Sequence, residues 1–175
     1  GTANWLESVG LVANVDKKKI NSAKNSILPL IKQNLIKNQI KGRITMSGYE
    51  GSELIVARLL IESGADVKYV GTACPKTRFS ENDYQWLTEK NVKVVYRASL
   101  ENDLEAMKEH DPDLVIGTTP VVQAAKQIAK PSLYFTNLIS ARPLMGAAGA
   151  GSIAQVINSA IANKSRFDSM KKFFG

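Results

Sequence analysis

The fold is decided by the stretch Arg43-Ile44-Thr45-Met46-Ser47-Gly48-Tyr49-Glu50-Gly51-Ser52-Glu53-Leu54. Its first five residues include apolar and β-branched side chains, which is typical of a buried strand. Two glycines then mark a turn, and the apolar run over 52–63 predicts a helix that is buried on nearly all sides. A strand, a short turn and a helix in this order are the repeating unit of parallel α/β sheets.

The same alternation continues along the rest of the chain. We predict further strands at 66–71, 92–96, 113–117 and 132–136, and helices that begin near Ser80, Ser99, Pro120 and Ser152, with a last short helix at 166–174. Residues 42–175 are therefore expected to form an α/β, Rossmann-like three-layer domain whose mostly parallel sheet has about five strands. Residues 1–41 have helical spacing and predict an N-terminal helical arm, which Pro29 should kink or restart.

Composition limits the classes of protein that this chain can be. Its 175 residues, 44% of them hydrophobic, are enough for one domain with a full core. The net charge is +7, and many of the lysines lie near the start of the chain. They could form a patch for nucleic acid or an acidic partner, but no aromatic residues interleave with them, so we interpret them as a solvated helix face and expect no nucleic-acid partner. No apolar run approaches the roughly 20 residues that span a membrane. The single cysteine, Cys74, excludes an internal disulfide and a self-contained iron–sulfur or cysteine-rich zinc site. The start lacks signal-peptide features, and we expect a cytoplasmic protein.

Three loops with unusual residues follow the ends of predicted strands, at 47–52, 117–120 and 137–152. The first and fourth strands of doubly wound sheets are usually neighbours, so these loops should converge where such sheets bind ligands. Gly48 and Gly51 can serve either turn geometry or the binding of an anion. Their spacing differs from the dinucleotide fingerprint, which disfavours a nicotinamide cofactor.

These loops supply the candidate site residues. Those predicted to contact a ligand are Tyr49, Thr118, Thr119, Asn137, Ser140, Arg142, Leu144 and Met145. Arg142 can pair with a ligand carboxylate or hold its own loop, and Glu50 is the loop acid best suited to donate a proton. His110 is expected at the opposite, amino edge of the sheet, and we assign no residue to a metal. Cys74 is expected to be an idle thiol.

Five blocks of the sequence, at 47–54, 65–73, 96–101, 117–123 and 134–146, closely resemble the nitrogenase component-1-like oxidoreductase family. The similarity is to the Y-type subunit of its tetrapyrrole-reducing enzymes, which are related to dark-operative protochlorophyllide reductase. It runs over nearly the whole chain, and its last block is long and specific.

The resemblance implies an ATP-dependent oxidoreductase that reduces one ring double bond of chlorophyllide a during bacteriochlorophyll synthesis. In such enzymes the Y subunit pairs with a Z subunit in a heterotetramer, and an ATP-dependent iron–sulfur reductase component delivers the electrons. The resemblance also implies a [4Fe–4S] cluster with ligands in an upstream region that this chain lacks. We therefore expect a C-terminal fragment that binds no cofactor and is inactive alone.

In nitrogenase proper, the loop that matches 142–149 carries a histidine cofactor ligand, whereas this chain has Arg142-Pro143-Leu144-Met145. The resemblance therefore implies no iron–molybdenum cofactor here, and it is compatible with a flat, apolar ligand whose propionate pairs with Arg142. Three alternatives stay open. These are a non-catalytic ligand-binding lobe of the metal-chelate receptor type, a nucleotide-dependent enzyme that uses the loop at 48–52, and a subunit-interface scaffold.

Overall fold

Five parallel strands form one sheet in the computed structural model, which describes residues 1–140, 142–167 and 169. They are β1 (Arg43–Gly48), β2 (Asp66–Thr72), β3 (Lys93–Tyr96), β4 (Leu114–Gly117) and β5 (Ser132–Tyr134). Their spatial order is β3-β2-β1-β4-β5, and every neighbouring pair is parallel. β2 and β3 follow β1 on one side of it, whereas β4 and β5 lie on the opposite side of β1. The switch point of the fold therefore lies between β1 and β4.

Helices cover both faces of the sheet. The helices are α1 (Thr2–Val12), α2 (Lys17–Lys37), α3 (Glu53–Glu62), α4 (Glu81–Glu89), α5 (Leu100–His110), α6 (Thr119–Gln127), α7 (Phe135–Ser140) and α8 (Gly146–Ala162). α3, α4 and α8 pack on one face, and α5 and α6 pack on the other. The predicted three-layer α/β fold with a parallel five-stranded sheet is confirmed.

The two faces of the sheet differ in polarity because successive strand residues point to opposite sides. Ile44 and Met46 of β1 face the larger apolar core, which also contains Leu60, Ile153 and Ile157. The face under α5 and α6 holds a smaller apolar cluster of Met107, Val115, Val121 and Ala125. Buried polar side chains lie on the strands and helix of this second face, namely Thr45, Ser47, Tyr69 and Asp103.

Helix boundaries follow local capping chemistry. Ser99 and Asn102 form a capping box at the start of α5, as expected for a serine before an apolar helical pattern. The Asp16 side chain accepts a hydrogen bond from the Lys18 backbone N–H at 2.7 Å and caps α2. α2 then continues through Pro29, so of the two predicted effects of this residue, a kink or a restart, the restart is wrong. Pro29 is exposed, and water can satisfy the carbonyl that its missing N–H leaves free.

The predicted long loop at 137–152 is also wrong. β5 ends at Tyr134, α7 follows immediately, and α8 begins at Gly146 rather than at Ser152. Phe135 and Leu138 are buried three residues apart and anchor α7 to the core. The glycines of α8 let it pack against backbone and neighbouring helices, and this packing outweighs the weak helix propensity of glycine.

Of the two N-terminal helices, α2 packs against α8, and α1 packs against α2. Asn34 Nδ2 donates to the Ala147 carbonyl at 2.8 Å, and Asn158 Nδ2 donates to the Gln39 carbonyl at 3.1 Å. The division into an arm at 1–41 and a domain from residue 42 stays a prediction. The predicted last helix at 166–174 lies largely outside the described residues. Among the described helices, none combines the length and the apolar character needed to cross a membrane.

Candidate functional site

The loops after β1 and β4 and the first turn of α7 meet at the carboxyl edge, the edge of the sheet where the strands end. β1 and β4 are adjacent, with Ile44 opposite Leu114 and Met46 opposite Ile116. A cavity of about 330 Å³, here called the edge cavity, opens where these loops meet. Its lining residues are Tyr49, Gly117, Thr118, Thr119, Tyr134, Phe135, Thr136 and Asn137. Four predicted site residues, Tyr49, Thr118, Thr119 and Asn137, are therefore brought together, as the topology predicted.

Thr136 connects the loop after β1 with α7. Its Oγ1 lies 3.2 Å from Glu50 Oε1, to which it can donate, and 3.4 Å from the Tyr49 hydroxyl. Glu50 is exposed and does not line the cavity itself, while Tyr49 leaves 57% of its surface exposed. Thr136 was not among the predicted site residues, although a polar residue at the end of a predicted strand is a signal for this position.

Arg142 lies beside a second, smaller cavity of about 160 Å³, here called the side cavity. The side cavity is lined by Ser132, Leu133, Tyr134, Asn137, Leu138, Arg142 and Val156. Tyr134 and Asn137 line both cavities, so the two are adjacent. Within the described part of the chain Arg142 makes no ion pair, and its side chain is exposed. The structure therefore places Arg142 next to the edge cavity but not inside it.

Three predicted site residues line neither cavity. Leu144 is partly buried and packs against the main apolar core. Met145 is 61% exposed just before α8, and Ser140 is exposed at the end of α7. Their positions are near Arg142 along the chain, but the structure does not gather them into a pocket with Tyr49.

Glu53 is a fully buried acidic residue near this edge, and it was not among the predicted site residues. It is the first residue of α3, and its side chain is fully buried. Oε1 accepts hydrogen bonds from the backbone N–H groups of Glu50 at 2.7 Å and Gly51 at 3.3 Å. Oε2 accepts a bond from the Thr72 hydroxyl at 2.9 Å. The sequence offered no signal for this role, because a glutamate at the start of a helix is ordinarily solvated.

A second buried polar pair lies under α5. The Tyr69 hydroxyl donates to Asp103 Oδ1 at 2.8 Å. Burial raises the pKa of Asp103, and the hydrogen bond from Tyr69 works in the opposite direction. Burial and the neighbouring Asp103 together raise the pKa of Tyr69, so its hydroxyl stays protonated and can act as the donor.

The residues present do not fit an iron–sulfur cluster. Such clusters take about four thiolates, and Cys74 is the single cysteine of the sequence. Cys74 is in the loop after β2, and its Sγ lies 3.6 Å from the Tyr49 carbonyl oxygen. Across the described ranges, no group of three His, Cys, Asp or Glu side chains is arranged to hold a metal ion. His110 ends α5 at the amino edge, where its carbonyl accepts a bond from Arg43 Nη1 at 3.1 Å.

The architecture is that of nitrogenase component 1 proteins. The solved structure "Nitrogenase Cp1 at pH 6.5" matches 94% of this chain with a TM-score of 0.66 and 20% identity, over 38% of its own length. "Nitrogenase Cp1 at pH 5" matches 85% of this chain with a TM-score of 0.56 and 9% identity, over 36% of its length. At these identities the likeness concerns the fold.

The family follows from the sequence match. The family model for nitrogenase component 1 type oxidoreductases matches residues 1–162, and the chain belongs to this family. Its similar relatives include the chlorophyllide reductase 52.5 kDa chain of Cereibacter sphaeroides, which is 60% identical over 174 residues. The chain of the same name from Rhodobacter capsulatus is 59% identical over 174 residues. Both matches cover 99% of this chain and 35% of the relative. The resemblance deduced from the sequence is confirmed.

Proposed function

We propose that this chain is part of the catalytic component of a chlorophyllide reductase, and that its carboxyl edge contacts the tetrapyrrole substrate, chlorophyllide a. The observation that carries this proposal is the 60% identity to a chlorophyllide reductase chain over 99% of this chain. The edge cavity supports it further, because ligands of open α/β sheets bind at this edge and at this switch point.

The edge cavity combines the groups that a flat, largely apolar ligand needs. The exposed ring of Tyr49 offers a face for stacking on a macrocycle. The Thr118 and Thr119 hydroxyls and the Asn137 amide offer hydrogen bonds to polar substituents. A volume of about 330 Å³ is at the small end of ligand pockets, which are roughly 300–1,000 Å³. We therefore propose that the cavity holds one side of the macrocycle and that other parts of the enzyme cover the rest.

Arg142 is proposed to bind a propionate of the substrate. A guanidinium group can hold a carboxylate through two parallel hydrogen bonds. Since Asn137 lines both cavities, a rigid ligand that lies over Asn137 can reach Tyr49 on one side and Arg142 on the other. In this arrangement Ser140 and Met145 contact the exposed rim of the ligand, and Leu144 supports the turn from the core side.

Reduction of a ring double bond adds two electrons and two protons to the substrate. We assign the electron supply to other parts of the assembled enzyme, namely the Z subunit, an ATP-dependent iron–sulfur reductase component, and a [4Fe–4S] cluster with ligands outside this chain. Glu50 is the proposed proton donor of this chain. Thr136 orients the carboxyl group of Glu50. Because Glu50 is exposed, solvent can return the proton to it.

The test of this role is Glu50→Gln in the assembled full-length enzyme. We expect reduction of chlorophyllide a to be abolished while binding of the substrate, followed by its absorbance, is retained. The reason is that glutamine keeps the shape of the side chain but cannot donate the proton. Glu89→Gln at the end of α4 is the matched control and should turn over normally. Wild-type turnover by Glu50→Gln would contradict the assignment.

A further inference from the structure

We infer that Glu53 is a positioning residue. Its carboxyl group accepts hydrogen bonds from the backbone N–H groups of the loop 48–51 that could otherwise bind an anion, and it thereby holds Tyr49 and Glu50 at the edge cavity. Glu53 does not line the cavity. Its action on the substrate rests on the proposed function, whereas its action on the loop does not.

Burial of the Glu53 side chain calls for a physical explanation. A carboxyl group is unfavourable in a protein interior unless hydrogen bonds replace those it made to water. Glu53 is 0% exposed, although the first turn of a helix such as α3 normally leaves acidic side chains in solvent. Its three hydrogen bonds provide the compensation, and all three partners belong to segments at the carboxyl edge.

These bonds connect two loops to one side chain. The N–H groups of Glu50 and Gly51 donate to the same oxygen of Glu53. Glu53 therefore holds the loop after β1 from its buried side. The Thr72 hydroxyl donates to the other oxygen and accepts a bond from the Cys74 N–H at 3.2 Å. The loop after β2 is therefore tied to the same carboxyl group.

Gly48 makes room for this arrangement. A Cβ atom at Gly48 would lie 2.5 Å from Glu53 Oε1 and 2.8 Å from Phe135 Cδ1. Both distances are too short for non-bonded atoms, so any side chain at this position would displace the carboxyl group or α7. The glycine is required because β1, Glu53 and α7 meet here.

The same contacts argue against a phosphate-binding role for the loop. Loops that hold phosphate direct free backbone N–H groups toward the ligand. Here the Glu50 and Gly51 N–H groups already donate to Glu53, so the chain itself supplies the acceptor. This inference disfavours the nucleotide-dependent alternative and leaves the loop's outward-facing side chains, Tyr49 and Glu50, for the substrate.

The first measurement is amide hydrogen exchange on the full-length protein. In the wild type, the Glu50 and Gly51 amides should exchange slowly although Glu50 is an exposed loop residue. In Glu53→Met, which keeps the side-chain length but removes both acceptor oxygens, both should exchange at least about tenfold faster. Thr72→Val removes one donor and should accelerate the same amides less. Unprotected amides in the wild type would overturn the inference without any variant.

The second measurement is the function of the assembled enzyme. We expect Glu53→Met to weaken chlorophyllide a binding and to lower kcat, each by about tenfold, because Tyr49 and Glu50 lose their placement. Glu81→Met is the matched control, since Glu81 is also the first residue of its helix but is only partly buried and pairs with Lys76. It should leave both quantities unchanged.

The two measurements separate the possible failures. If the amides become faster but binding and kcat stay at wild-type values, the positioning role is overturned. If the wild-type enzyme itself binds no chlorophyllide a, the proposed function fails, and the exchange data still decide whether Glu53 holds the loop.

Discussion

Tyr69 and Asp103 show how single buried polar groups shape the α5 side of this protein. Burial raises the pKa of Asp103, which means that the folded state favours its protonated form. The stability from this group is therefore fully present below its ordinary pKa of 3.8 and is lost as the pH rises through the higher folded value. The hydrogen bond from Tyr69 limits this loss because it stabilises the ionised carboxylate.

Tyr69→Phe should lower the free energy of unfolding by about 1–3 kcal/mol, because it leaves a buried carboxyl oxygen without its donor. The loss should be larger at neutral pH than below pH 3.8, since the variant raises the pKa of Asp103 further. Urea unfolding at the two pH values measures this difference. Tyr84→Phe, which removes the hydroxyl from a ring that lies tilted against Tyr96 at a centroid distance of 5.8 Å, is the control and should change little. Equal losses at both pH values would contradict the linkage.

At the scale of elements, the helix α8 depends on where its glycines meet other groups. A Cβ at Gly149 would lie 2.5 Å from the Leu144 carbonyl carbon and 2.9 Å from the Pro143 carbonyl oxygen. A Cβ at Gly151 would instead lie 2.6 Å from Asn38 Nδ2, the end of a flexible side chain. Backbone cannot move aside as a side-chain terminus can. The two glycines of this helix therefore differ in what an added Cβ would contact, which is backbone at Gly149 and a side chain at Gly151.

Gly149→Ala should destabilise the protein by about 1–3 kcal/mol despite the better helix propensity of alanine, because the turn at 143–144 must shift. Gly151→Ala is the matched variant and should cost clearly less. Thermal unfolding of both proteins provides the comparison. A Gly149→Ala protein as stable as Gly151→Ala would show that the turn does not press on α8.

Sequence periodicity predicted the helices and strands whose apolar pattern and caps lie within a few neighbouring residues. β1 to β4 lie within about two residues of their predicted bounds, and α3 to α6 begin within about two residues of their predicted starts. Strand alternation, capping serines and apolar helix faces depend on neighbouring residues, and a sequence shows them directly. α7 and the first turn and a half of α8 were missed. α7, from Phe135, is held by contacts with the apolar core and β1. The start of α8, from Gly146, packs against the backbone at 143–144. Neither kind of contact is visible in the local sequence pattern.

The candidate site was predictable to a similar degree. The doubly wound topology placed Tyr49, Thr118, Thr119 and Asn137 together, since it dictates which strand ends are neighbours. It did not place Arg142, because the path of the chain after β5 depends on α7. Glu53 was missed because a glutamate at a helix start is ordinarily solvated, and only the three-dimensional contacts show it buried beneath the loop.

On the scale of the whole molecule, the two edges of the sheet have different roles. The amino edge carries structural contacts, such as the bond from the Arg43 N–H to Asp113 Oδ2 at 2.9 Å. The carboxyl edge carries two adjacent cavities and the loops held by Glu53. The chain spans about a third of the length of the relatives it matches. We therefore propose that other parts of the enzyme complete the substrate site at this edge.

The most direct test of the central claim is an absorbance titration of the assembled full-length enzyme with chlorophyllide a. We expect saturable binding by the wild type. We also expect a Kd at least about tenfold higher for Tyr49→Ala and for Arg142→Ala, since each removes one of the two proposed anchors. Tyr49→Phe, which keeps the ring, and Arg166→Ala, at an exposed site beyond the end of α8, should bind like the wild type. Unchanged binding by both alanine variants would contradict the placement of the substrate at the carboxyl edge of this chain.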